Sequence, residues 1–270
     1  MARPERLFRY FSPKASDLFK DQKLWFSAVK DFNDPFDVAP RHDNAADGMA
    51  TEAIKKAYAF LPPEVVMPFN WYEKQMEPFK KRLVAETARK RPMDFQAAFS
   101  ERYGIVCFCE NVSSLLMWAH YADSHRGSVV EFDPRHPLFL PQALGEVQYS
   151  RARPFLEEPD YRKILLTKST EWEYEVEHRL IVELRQLKLG RRRDGTEKHF
   201  KELPMEAVKA VYLGCRIPPK VRDEIATSLR IPSAKHIKLF EMRLHPTDYR
   251  LEPVEIDPAT AATSAPPDPS

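Results

Sequence analysis

Residues 115–127, Leu-Leu-Met-Trp-Ala-His-Tyr-Ala-Asp-Ser-His-Arg-Gly, run without a break into Ser128-Val129-Val130-Glu131-Phe132-Asp133, and no other stretch constrains the chain as much. Leu115, Trp118, Ala119 and Ala122 fall on one face at helical spacing. Ser113 or Ser114 is placed to cap the start, and Gly127 to end the helix in a left-handed conformation. The residues that follow alternate as a short strand does. A helix that stops abruptly and hands over to a strand fixes a corner of the fold. Trp118, His120, Tyr121, His125 and Arg126 also put more hydrogen-bonding side chains on this corner than a plain core helix needs. Each alone fits an amphipathic helix packed on a core; as a cluster they point to a site.

The rest of the chain supplies the elements for that corner to pack against. Residues 6–11, 24–29, 105–109, 128–132, 147–149, 171–184, 197–203, 208–213 and 237–244 read as strands, the last a final one, and the Gly190–Gly195 turn makes 197–203 the return of a hairpin. Ser12-Pro13 starts a short helix with Leu18 and Phe19 on its apolar side, and 161–168 and 218–229 are also helical. From 44 to 103 the pattern is helical throughout, with Tyr72, Met76, Phe79 and Leu83, then Phe95, Phe99 and Tyr103, at three- and four-residue spacing. Lys80, Lys81, Arg82, Arg89, Lys90 and Arg91 in this block read as a solvated helix face in preference to a nucleic-acid patch. Strands interspersed with helices, without a regular βαβ repeat, predict an α+β fold with a mixed, mostly antiparallel sheet. The expected organisation is one α+β domain over 1–256, a helical insertion at about 44–103, and a disordered Pro/Ala/Thr/Ser tail over 257–270.

A second unusual run is Trp172-Glu173-Tyr174-Glu175-Val176-Glu177-His178-Arg179. As a strand it turns Glu173, Glu175, Glu177 and Arg179 to one face and Tyr174, Val176, His178 and Leu180 to the other. Three carboxylates in a row repel unless a cation or ligand lies between them. The alternatives are a wet edge strand closed by a glutamate–Arg179 pair, or a cleft with Glu177 or Glu175 at its edge. Between the early strands, Phe32-Asn33-Asp34-Pro35-Phe36-Asp37 is a turn rich in side-chain acceptors, with Phe32 and Phe36 placed to pin it.

Several function classes are disfavoured. A net charge of +2 on 270 residues argues against a nucleic-acid binder held by bulk charge. With seven glycines there is no Gly-x-Gly-x-x-Gly and no phosphate-binding loop. Cys107, Cys109 and Cys215 form no Cys-x-x-Cys pair, so neither a zinc nor a disulfide framework is expected, and Cys107 and Cys109 are expected buried and unpaired. No apolar run approaches the about 20 residues of a membrane span, and no signal core opens the chain, so a cytosolic protein without membrane partners is expected. Asp34, Asp37, Glu175, Glu177 and His120 could ligate a hard cation in a nuclease-like site, but no spacing forces a metal.

Four segments together resemble the bacterial family catalogued as domain of unknown function 2971: Leu7-Phe8-Arg9-Tyr10; Leu24-Trp25-Phe26-Ser27 with Phe32-Asn33-Asp34-Pro35-Phe36-Asp37; Met117-Trp118-Ala119-His120-Tyr121 with His125-Arg126-Gly127; and the run 172–179. Val211-Tyr212-Leu213-Gly214 also fits, and the likeness extends in order from about residue 7 to 244, omitting the helical insert. The order of motifs is similar, in turn, to the ADP-ribosyltransferase fold, including its toxin- and DNA-directed members. That second resemblance implies an NAD-processing enzyme, with NAD as substrate, a nucleic-acid or protein acceptor, and a setting in toxin or phage-defence biology. It implies Arg9 and Tyr10 as a first motif holding the ribose or pyrophosphate. Trp118, His120 and Tyr121 become the motif near nicotinamide, and Glu177 or Glu175 the catalytic carboxylate. Ser27, Asn33, Asp34 and Arg179 complete the expected NAD contacts, with Asn33 and Asp34 at the rim of one shared cleft. The alternative from a different class is a non-catalytic module that holds a nucleotide or nucleic acid beside His120, Tyr121, Asn33 and Asp34.

Overall fold

The computed structural model describes residues 3–13, 16–41, 43–62, 67–139, 143–155 and 160–261. The chain forms two compact units, and it is α+β with a mostly antiparallel sheet. The first unit takes Met1–Ser27, Arg102–Val147 and Glu171–Ser270; the second takes Ala28–Glu101 and Gln148–Thr170.

The first unit is built on an eight-stranded sheet. Its strands are β1 (Leu7–Phe11), β3 (Tyr103–Cys109), β4 (Ser128–Phe132), β5 (Leu144–Glu146), β8 (Glu177–Glu183), β11 (Val208–Leu213), β12 (Lys238–Leu244) and β13 (Leu251–Ile256). They lie in the order β13-β12-β11-β4-β1-β3-β8-β5, antiparallel throughout except for β11 and β12. That parallel pair is joined by helix α6 (Pro219–Ser228), as a parallel connection needs a crossover. A three-stranded sheet pairs β2 (Lys23–Trp25) with β10 (Glu197–Glu202), and β10 with β9 (Lys188–Arg191).

Alternation along the strands divides the side chains between two cores. Leu7, Phe11, Val106, Phe108, Val130, Phe132, Leu180, Val211 and Leu239 form one face, covered by Leu18 and Phe19 of α1 (Ser16–Asp21), by α6, and by Leu24 and Phe26 around β2. Phe8, Tyr10, Cys109, Val129, Ala210, Tyr212 and Met242 form the other, covered by Met117 and Trp118 of α4 (Leu115–Tyr121).

In the second unit α2 (Asp43–Ala59) packs on α3 (Phe69–Ser100), with the Tyr58 ring 5.2 Å from Phe69 and 5.3 Å from Tyr72. This pair is the helical block expected at 44–103. The unit also takes a second segment that the sequence reading did not assign to it, with β6 (Gln148–Ser150) parallel to β7 (Thr167–Ser169) and helix α5 (Tyr161–Leu165). Lys81 and Arg82 are exposed and Lys80 is paired with Asp47 at 3.0 Å, while the side chains of 89–91 lie outside the described residues.

Several expectations are corrected. The strand expected over 171–184 is a 3-10 helix over Thr170–Glu175 followed by β8 from Glu177. Ile237–Leu244 is not the last strand, since β13 follows it, and Pro258–Ala261 adds a turn of helix, α7, where a structureless tail was read. The remainder of that tail, 262–270, lies outside the described residues. Gly127 does not end α4 in a left-handed conformation. Instead Asp123, Ser124 and His125 take φ of 48°, 54° and 68°. Gly127 is required for a different reason: a Cβ there would lie 1.9 Å from the Phe11 carbonyl oxygen. Among the described residues Cys107, Cys109 and Cys215 form no disulfide; Cys109 is buried, but Cys107 is only half-buried.

Candidate functional site

Helix α4 and the 3-10 turn before β8 bring the two unusual runs of the sequence together on the Phe8 face. Ser114 caps α4, its hydroxyl accepting from the Met117 amide at 3.4 Å. Apolar Met117 and Trp118 dock on the sheet, leaving His120 exposed and Tyr121 half-buried at the helix end. The Tyr121 hydroxyl donates to Glu175 Oε1 at 2.6 Å, and His120 Nδ1 lies 3.0 Å from the Tyr174 hydroxyl. Registers Phe8 with Cys109 and Cys109 with Glu177 put Glu177 on this same face, and Arg179 with it opposite Cys107.

Glu177 and Arg179 form a two-pronged ion pair, Nε to Oε1 at 2.8 Å and Nη2 to Oε2 at 3.0 Å, with 3% and 0% of the two side chains exposed. Glu175 is also only 3% exposed. Between the two glutamates Val176 takes φ 44°. A β-branched residue is a steric outlier there, and such strain clusters at functional sites. Burial pushes the Cys109 thiol up to about 12, and Glu110, Glu175 and Glu177 add to the shift by opposing a thiolate. On the far side of β8, His178 Nε2 lies 2.6 Å from Glu110 Oε1.

Two expected members are sealed into the core under this site. Trp118 is fully buried, its indole donates to the Val112 carbonyl at 2.6 Å, and it meets the Tyr10 ring edge-on at 5.4 Å. Tyr10 donates to the Asn111 carbonyl at 2.9 Å, and burial raises its hydroxyl far above the usual tyrosine value. Both rings support the floor and offer no stacking face to a nicotinamide.

Arg9 and Ser27 do not join the cluster. Adjacent strand residues point to opposite faces. Arg9 therefore lies across the sheet from Tyr10, in a cavity with Ser27 and Trp25. Asn33 and Asp34 belong to the second unit. There Asp34 is buried and its Oδ1 accepts the Phe36 amide at 2.8 Å, an Asx turn, while Asp37 sits 3.9 Å from buried Lys168. Asp34 thus holds its own loop. Two residues were missed. Tyr174 was assigned to packing, and Glu110 gave no signal beyond following Cys109. Among the described residues no group of His, Cys, Asp and Glu has the geometry to hold a metal ion, and no helix is long and apolar enough to cross a membrane.

His125, in the left-handed run, stacks on Trp118 with ring centroids 6.1 Å apart and planes 8° apart. Its buried Nδ1 has no partner among the described residues. Burial, aided by the Arg216 charge, lowers its pKa. The folded state therefore favours neutral His125. Its stabilisation is complete above the ordinary histidine value of about 6.5 and is lost as pH falls from there through the lowered folded value. In urea melts from pH 8 to pH 5, the wild type should lose more stability than His125→Phe, which keeps the ring stack without a proton to gain; parallel curves would refute this.

No family model, no curated protein and no solved structure matches the chain.

Proposed function

We propose that this chain is an ADP-ribosyltransferase-like enzyme of the domain of unknown function 2971 family, cleaving the nicotinamide–ribose bond of NAD at the α4–β8 site. The observation that carries the reading is the convergence of buried Glu175 with Tyr121, His120 and Tyr174 over the Glu177–Arg179 pair. Bond cleavage builds positive charge on the ribose as nicotinamide leaves with the bonding electrons, much as in glycoside hydrolysis. A carboxylate beside that carbon stabilises the charge and takes the proton of the acceptor nucleophile as its bond to ribose forms.

Glu175 is the better candidate for that role. Both oxygens of Glu177 are engaged by Arg179, which neutralises its charge and makes it a positioning group. Glu175 instead lies under a rim of side chains that reach solvent, exposed His120 and half-buried Tyr121 and Tyr174, and these are placed to flank a planar ring. Arg9 has no part in this assignment. Incubating the full chain with NAD and a panel of protein and nucleic-acid acceptors should release nicotinamide, read by chromatography. No release with any acceptor, from protein that binds NAD, would favour the binding module instead.

A further inference from the structure

The Leu7 face holds an electrostatic anomaly. Arg9, on β1 in the middle of the eight-stranded sheet, is largely enclosed by α1 and the three-stranded sheet, yet among the described residues it has no carboxylate partner. Its one hydrogen bond among the described residues is long, Nη1 to the Trp25 carbonyl at 3.3 Å, and its guanidinium lies 5.1 Å from the Phe11 ring. A guanidinium carries five N–H donors, and charged groups taken from water are ordinarily paired. Burial, with the neighbouring charge of Arg192 adding to it, lowers the Arg9 pKa to about 10. A cavity of about 100 Å³ adjoins it. Arg192 from the β9–β10 turn and Lys198 of β10 also line that cavity, as do Trp25 and Ser27. Among the described residues the Ser27 hydroxyl takes no partner, its backbone alone being bonded, to Ile105. Asp17 is the one carboxylate on the wall among the described residues, and it lies 3.6 Å from Arg193. Arg192 lies 3.7 Å from Asp194, so Arg9 is the cation of this wall that its surroundings leave without a carboxylate among the described residues.

We infer that this cavity is an anion site for a single phosphoryl group, with Arg9 as its enclosed anchor and Arg192, Lys198 and Ser27 around it. The guanidinium fork matches the oxygen pair of a tetrahedral oxyanion. The volume sets the limit on size. It is several times what one water needs and far below the about 300 Å³ at which pockets for whole small molecules begin. The occupant is inorganic phosphate, or the terminal phosphate of a larger molecule whose remainder stays outside. The site lies on the opposite face of the sheet from Glu175 and does not depend on the NAD reading.

Titration of the full chain with inorganic phosphate, at ionic strength held constant with chloride, should raise the melting temperature saturably. Calorimetry should then show binding about tenfold or more weaker in Arg192→Gln, the loss of one charge-assisted contact. Arg9→Met should abolish binding. That variant should fold with an unchanged or higher melting temperature without phosphate, because it removes an unpaired enclosed cation. Ribose 5-phosphate separates the two sources: tighter binding than phosphate marks a phosphate ester, and equal or weaker binding the free ion. A phosphate effect no larger than that of chloride would overturn the proposal. So would an effect equal in wild type and Arg192→Gln, a comparison that stands even if Arg9→Met fails to fold.

Discussion

Arg179→Met will destabilise the fold by about 3–5 kcal/mol, the usual consequence of removing one partner from a buried ion pair. Arg179 is completely buried and its guanidinium holds both oxygens of Glu177, itself 3% exposed. Methionine fills much of the space but leaves a carboxylate in the core without its counter-charge. Replacing both partners, as Glu177→Leu with Arg179→Met, removes the charge as well as its mate and should recover most of the loss. Urea unfolding of the two single variants and the double gives the coupling between them. A loss under about 1 kcal/mol for the single Arg179 change, on the scale of exposed pairs, would show that the pair is not closed off from water.

Glu175→Gln will lower the rate of nicotinamide release by about 10²–10³-fold, the range seen when one preorganised electrostatic stabiliser is removed. The substitution keeps size and hydrogen-bonding capacity, so Tyr121 can still donate to the side-chain oxygen. The negative charge that opposes the ribose cation is lost. Because that charge matters most in the transition state, kcat should fall while KM for NAD changes little. Glu177→Gln should lose stability first. If instead Glu177→Gln stays folded and loses turnover while Glu175→Gln keeps it, the roles assigned to the two glutamates are reversed.

The sequence reading went furthest where a pattern and a cap agreed. Helix 115–121 has its serine cap and the following strand encoded locally, and both are present, but the buried face is Met117, Trp118 and Ala122, with Leu115 and Ala119 of the expected face exposed. The run after it was harder. Trp172, Tyr174 and Val176 alternate with glutamates and so imitate a strand. The 3-10 turn and the left-handed Val176 that replace it use a conformation β-branched residues avoid, which no local rule anticipates. Gly127 was read from its place after a helix, yet its need arises from the Phe11 carbonyl, far away in the chain. The cluster itself was visible only as two odd segments, since the bonds joining them span 54 residues. Arg9 and Tyr10 were grouped as one motif by resemblance, although strand alternation by itself sends them to opposite faces. The last strand was missed because Pro253 within it reads as a break.

That proline has a consequence for how copies of the chain meet. A sheet of eight strands ends in two rows of peptide groups that another chain could extend. At one end β5 offers only three residues. At the other, β13 carries Pro253, which has no N–H to give, between Glu252 and Glu255, whose carboxylates are tied to Arg250 at 3.0 Å and Lys238 at 3.2 Å. A short margin on one side and a charged, donor-poor margin on the other leave little template for strand-by-strand polymerisation. The two margins of the eight-stranded sheet are thus poor seats for a strand from another copy.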